Sequence, residues 1–145
     1  MSGWEDLVTV ACDAAHVEAE AKSDLIVPRT RGMKPFADLA EALRAKAILV
    51  PTYTGRTASV VARLRPRRPI IALTHHDYAL RQMAIEWGVT AFLIPECDDV
   101  DTLLAASRAA ARESGLVDEG DRVVITAGTA VNLPGTTDLI KVDVV

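Results

Sequence analysis

A chain of 145 residues, half of them apolar and a quarter charged, has the length of one domain and the composition of an ordinary globular protein, which argues against a disordered chain or a bilayer-spanning one. A net charge of −4 argues against nucleic acid held by general phosphate attraction, and the start Met1-Ser2-Gly3-Trp4-Glu5-Asp6 lacks both the basic start and the apolar stretch of a secretory signal. The two cysteines, Cys12 and Cys97, are too few for a four-thiolate zinc centre and read as reduced thiols of a cytoplasmic protein.

Trp4 to about Ala21 is alanine-rich and predicts a long helix. Ser23 to Pro35 is ambiguous: Leu25-Ile26-Val27-Pro28 is either a short strand or an extended linker ending at the turn Arg31-Gly32. Phe36 to Arg44 places Phe36, Leu39, Ala40 and Leu43 at helical spacing. Ala47-Ile48-Leu49-Val50 is an apolar run closed by Pro51, the pattern of a strand covered on both faces. A helix from Thr57 to Leu64 stops before Pro66, because proline disfavours a helical residue ahead of it. Ile70 to Leu73 reads as a second strand. Thr74 and Asp77 stand three apart, a candidate capping box for a helix to Trp87, with Gly88 as its stop. Val89 to Ile94 is a third strand, and Asp98 or Asp99 caps a helix to Ser114 closed by Gly115. Val123-Val124-Ile125 runs as a strand toward Gly128. Leu139 to Val145 alternates, with Leu139, Lys141 and Asp143 opposite Ile140, Val142 and Val144. One largely polar face suits an edge strand antiparallel to the others. Strands alternating with helices over short links predict an α/β chain, a mostly parallel sheet with helices on both faces.

The run Val50-Pro51-Thr52-Tyr53-Thr54-Gly55-Arg56-Thr57-Ala58 follows a strand and opens a helix. Ligands of open α/β sheets sit beyond the carboxyl ends of the strands, and a helix start offers unpaired N–H groups and a positive dipole end. Thr52, Thr54 and Thr57 add hydroxyls, Gly55 permits close backbone approach, and Arg56 can grip a phosphate with two parallel bonds. The Gly-Lys-Ser/Thr ending of a Walker loop is missing. Spacing alone leaves two readings open, a phosphate cradle or a turn in which the threonines merely cap the helix.

Other candidates carry less. His75-His76 lacks a third ligand at helical spacing, and adjacent residues are expected to point apart, so a strand-end turn is favoured over a metal site. Glu96, Asp98, Asp99 and Asp101 lack the spacing of a calcium loop and read as cap and surface. Arg63, Arg65, Arg67 and Arg68 read as solvated surface, or as a contact for phosphate or for an acidic subunit. Trp87 before Gly88 reads as core packing, and Ser107 has no base in reach.

Thr52-Tyr53-Thr54-Gly55-Arg56-Thr57-Ala58, Arg65-Pro66, Pro69-Ile70-Ile71-Ala72-Leu73-Thr74, Arg81-Gln82 and Trp87-Gly88-Val89 resemble, in order, the C-terminal domain of pyruvate kinase. Gly115-Leu116-Val117, Gly120 to Gly128 and Gly135-Thr136-Thr137-Asp138-Leu139-Ile140-Lys141-Val142 continue the resemblance, which covers about three quarters of the chain, from Phe36 to Val145. It implies a leading helix and connector over 1–34 and, over 35–145, a three-layer α/β/α domain. Its sheet would be mixed and five-stranded, with the last strand antiparallel at an edge. It further implies a regulatory, oligomer-forming domain that binds a phosphorylated effector at Thr52, Thr54, Gly55, Arg56 and Thr57 and at a later loop with Gly135, Thr136 and Thr137. Thr54 stands where the family usually has serine. Asp138 replaces a common asparagine and would repel a second phosphate, which favours a monophosphate or nucleotide over a sugar bisphosphate. The catalytic barrel, with its magnesium and potassium, has no counterpart in these residues, so the chain alone is expected to transfer no phosphate and to need no cofactor. A free-standing oligomerising module without a ligand is the alternative.

Overall fold

A computed structural model of the chain describes residues 23–26, 34–128 and 137–145. The expected helix from Trp4 to Ala21, the residue Cys12, and the loop positions Gly135 and Thr136 lie outside the described residues, as does the side chain of Thr137. Six strands form one sheet: β1 (Ser23–Ile26), β2 (Ala47–Pro51), β3 (Ile70–Thr74), β4 (Val89–Leu93), β5 (Arg122–Gly128) and β6 (Thr137–Val144), in the spatial order β1-β6-β5-β2-β3-β4. Strands β2, β3, β4 and β5 run parallel, and β6 lies antiparallel to β5.

The helices are α1 (Lys34–Ala42), α2 (Arg56–Arg63), α3 (Asp77–Met83) and α4 (Val100–Glu113). Alternate side chains of each buried strand point to opposite faces, so Ile48, Val50, Ile70 and Ala72 pack under α1, α2 and α3. Leu49, Ile71, Leu73 and Ile125 pack under α4. The connections explain which helix goes where. From β2 to β3 to β4 the chain steps one way across the sheet. From β4 it must return past β3 and β2 to reach β5, and a right-handed crossover then passes over the opposite face. The order reverses at β2, which puts the topological switch between β2 and β5.

The expected three-layer α/β/α fold is present, with its five strands and its antiparallel last strand. The sheet has a sixth member, because Ser23–Ile26 takes the strand alternative of the 23–35 segment and pairs antiparallel with β6, Leu25 opposite Ile140. β6 is therefore interior, not an edge. The polar alternation of β6 has another cause: Asp143, 1% exposed, receives Arg108 of α4 across the sheet at 2.5 Å.

Two local readings need correction. The helix after β3 ends at Met83, short of Trp87, and its N-cap is His76. The Thr74 hydroxyl oxygen accepts the His76 N–H at 3.1 Å instead of capping the helix. Trp87 is not core: it is half exposed, and the Arg65 guanidinium lies 5.1 Å over its ring. By contrast Asp99 caps α4 as expected, its carboxylate accepting the Thr102 N–H and hydroxyl, each at 2.8 Å.

Candidate functional site

The turn after β2 lies at the carboxyl edge of the sheet, beside the switch. The Thr52 N–H donates to the Leu73 carbonyl at 2.8 Å and extends the β2–β3 pairing one step past Pro51. The Thr52 hydroxyl oxygen accepts the Gly55 N–H at 3.0 Å, and the Thr54 hydroxyl oxygen accepts the Arg56 N–H at 3.4 Å. Each hydroxyl that accepts in this way still has its own proton to donate. Gly55 turns the chain into α2 with φ +85, and a Cβ there would come within 3.1 Å of Met83 Cγ. The close approach that glycine permits is thus to α3.

Thr54, Gly55 and Arg56 open onto a groove of about 370 Å³ between α2 and α3. Ser59, Val60 and Arg63 continue its α2 wall, and Gln82, Met83 and Glu86 form the other. The Ser59 hydroxyl donates to Glu86 at 2.7 Å and ties the two walls together. Arg56 is exposed, and among the described residues neither it nor Arg63 is in an ion pair. Thr52 and Thr57 belong to the same turn but do not line this groove. The later loop is reached only through its ends. Thr137 pairs with Gly128 at the same carboxyl edge, one strand beyond the turn.

Sequence spacing does not reveal Ser59, Gln82, Met83 and Glu86 as neighbours of this turn, since the contact joins residues 27 apart through a tertiary fold. Nor does it reveal the ring cluster beside it. Tyr53 stands edge-on to His75 at 5.4 Å and to His76 at 4.2 Å, and Tyr78 lies 5.3 Å from His76. The two histidines do not point apart: their rings are 3.9 Å from each other. Burial, then the neighbouring His76 charge, pull the His75 pKa below its ordinary value, against the pull of Glu96. His76 Nε2 is buried without a hydrogen-bond partner. No group of three metal-ligating side chains occurs among the described residues. Burial, then Asp99 and Asp98, raise the pKa of the Cys97 thiol, which donates to the Pro95 carbonyl at 3.3 Å. The Ser107 hydroxyl is spent within α4, donating to the Leu103 carbonyl at 2.7 Å. Among the described residues no helix is long and apolar enough to cross a membrane.

A family model described as pyruvate kinase, alpha/beta domain, matches residues 34–143. Pyruvate kinase of Clostridium acetobutylicum is 35% identical over an alignment covering 97% of this chain and 32% of that protein. Pyruvate kinase of Geobacillus stearothermophilus is 44% identical over 71% of this chain and 18% of the relative. Pyruvate kinase 2 of a Synechocystis species is 41% identical over 75% of the chain and 18% of its own length. The chain thus spans a third or less of these curated relatives. A match over most of the chain, on the strand-helix order seen in the fold, places it in the pyruvate kinase alpha/beta domain family, as a pyruvate kinase C-terminal domain.

Proposed function

We propose that the chain is a regulatory and subunit-assembly domain of a cytoplasmic pyruvate kinase, and that it holds a phosphorylated small molecule at the turn Thr52–Thr57. The supporting observation is Arg56: an exposed guanidinium, in no ion pair among the described residues, at the start of α2 and on the rim of a groove. Gly135, Thr136 and Thr137 would meet the rest of the ligand from the neighbouring strand connection. Phosphoryl transfer from phosphoenolpyruvate to ADP belongs in this reading to a barrel of the parent enzyme, with its own metal ions. The groups that catalyse such transfer are cation clamps and a positioned nucleophile. A phosphotransfer assay on this chain is expected to stay at the blank.

Melting with ribose 5-phosphate and with AMP tests the binding. At about a hundredfold excess over Kd, a ligand specific to the native state adds about 2.7 kcal/mol, or roughly 5–10 °C in this size range. Arg56→Ala is expected to remove most of that rise, while Arg112→Ala, on the last turn of α4, leaves it intact. No rise with either ligand at millimolar concentration rejects the binding claim.

One observation favours the second reading, an oligomerising module without a ligand. The Gly55 and Arg56 N–H groups already have partners in Thr52 and Thr54. Under that reading Thr52→Ala lowers stability and changes nothing else.

A further inference from the structure

The effector reading uses the hydroxyls and the guanidinium of the turn and leaves the rings beside it without a task. Tyr53 belongs to that turn, between Thr52 and Thr54. Its ring stands 5.4 Å from His75 and 4.2 Å from His76, and the two imidazoles are 3.9 Å apart. The bond from the Thr52 N–H to the Leu73 carbonyl explains the meeting: β2 and β3 stay paired to their carboxyl ends, so the residues that follow each strand leave the sheet side by side. The Thr74 hydroxyl oxygen then accepts the His76 N–H at 3.1 Å and fixes the chain at that edge. None of these rings lines the groove between α2 and α3. The turn thus has Arg56 on its groove flank and the two imidazoles on the flank of Tyr53.

Imidazole changes charge near neutral pH, so its surroundings decide whether it is a cation. Among the described residues the neighbouring elements offer the pair little compensation. The turn contributes Tyr53 and Arg56, neither of them an anion at neutral pH. From α3 come Tyr78, in ring contact with His76, and Asp77, which is paired with Arg81 at 2.5 Å. The loop from β4 to α4 contributes Glu96, Asp98 and Asp99. Asp99 is committed to Thr102, and Asp98 acts on Cys97. Glu96 does favour a charged His75, but burial and His76 outweigh it. Two cationic rings in contact repel each other, so the pair has room for one proton. His76 Nε2 is buried without a hydrogen-bond partner, and a proton placed there would be an unpaired buried donor. His75 is the ring left to carry the charge.

A phosphate on the turn reverses the balance. A monoester brings about two negative charges to the flank where Glu96 alone does not suffice, and that attraction favours the charged imidazole. A dianion gains more from this than a single carboxylate, because the charge that draws the proton is doubled.

We propose that His75 is a binding residue of the phosphate site and enters it as imidazolium, so that the anion is taken up together with a proton. Tyr53 and His76, packed against it, are positioning residues. The inference rests on the phosphate reading of the turn and adds to it a positive charge that is present only when the ligand is. Affinity then rises as pH falls, and the gain levels off where His75 of the free chain charges without help.

Sulfate and ribose 5-phosphate test it on the full chain at fixed ionic strength. Sulfate keeps its charge between pH 5.5 and pH 8, so any pH dependence of its binding belongs to the protein. Calorimetry is expected to find it bound at least about threefold more tightly at pH 5.5 than at pH 8. The ring-proton NMR signals of His75, identified by their loss in His75→Gln, should titrate at higher pH with either anion than without. His75→Gln should bind sulfate alike at the two pH values. Arg56→Ala should weaken binding at both and keep their ratio. If His75→Gln melts early, wild-type signals assigned by through-bond NMR carry the test. Either anion bound with His75 titrating unchanged overturns this inference and keeps the phosphate reading. A pH ratio that survives His75→Gln also overturns it. No binding of either anion at millimolar concentration overturns both.

Discussion

Arg44 and Gly55 show how backbone conformation and side-chain space can conflict at one residue. Gly55 combines φ +85 with a Cβ position 3.1 Å from Met83 Cγ. Gly55→Ala therefore meets both left-handed strain and a crowded neighbour, and is expected to cost about 2 kcal/mol in urea denaturation. Arg44→Gly, at φ 52, relieves only left-handed strain, about 1–2 kcal/mol, but gives the unfolded chain more freedom, worth about 0.4–1 kcal/mol the other way. The expected net is between neutral and about 1.5 kcal/mol more stable. Gly55 was legible in the sequence as a place of close approach. That the approach is to a methionine of α3 was not, because the contact exists only once β2 and β3 have paired. His75 gives a residue-scale pH effect. Its pKa is held below the ordinary value by burial and by His76. The unfolded chain therefore binds a proton more readily than the folded one. Stability is expected to fall as pH drops through about 6.5 toward the lower folded value. Melting at pH 8 and at pH 5.5 should differ in the wild type and differ less in His75→Gln.

Each element was legible where local chemistry and tertiary demand agree. The apolar run Ala47–Val50 and the cap Asp99 are of this kind: burial on two faces and an accepting carboxylate leave few alternatives. Asp99 is held below the usual carboxylate range by the Thr102 N–H and then the Thr102 hydroxyl. Its contribution is present above the unfolded pKa and is lost as pH falls through the depressed folded one. Asp99→Ala should lower the melting temperature at pH 7 and lose its effect in acid, a difference that melting at both pH values reads directly. Elements were misjudged where the deciding partner is remote in sequence. Trp87 reads as core until Arg65, on another turn, is seen to cover one face of its ring. Thr74 spaces correctly for a capping box, yet its oxygen is used one residue earlier, on the His76 N–H, and the helix ends at Met83. The polar face of β6 reads as an edge because the sequence pattern shows exposure and buried pairing alike as alternation.

At the scale of the molecule that same face joins two layers. Among the described residues α4 is the one helix on its side of the sheet, and Arg108 carries it past β5 to β6. The Asp143 side chain is 0% exposed and Arg108 is 31% exposed, so the carboxylate is the costly member if left alone. Removing its partner strands a buried charge, which elsewhere costs 3–5 kcal/mol; the partial exposure of Arg108 places the expected loss for Arg108→Met at the lower end, about 3 kcal/mol. Asp143→Leu combined with Arg108→Met removes the charge together with its partner. If the pair acts by compensating a buried carboxylate, the double variant is more stable than Arg108→Met alone, although it has lost the same ion pair. Urea denaturation of the three proteins decides between these roles. A double variant no more stable than Arg108→Met would mean that the pair itself, and not the relief of an isolated charge, holds α4 against the sheet.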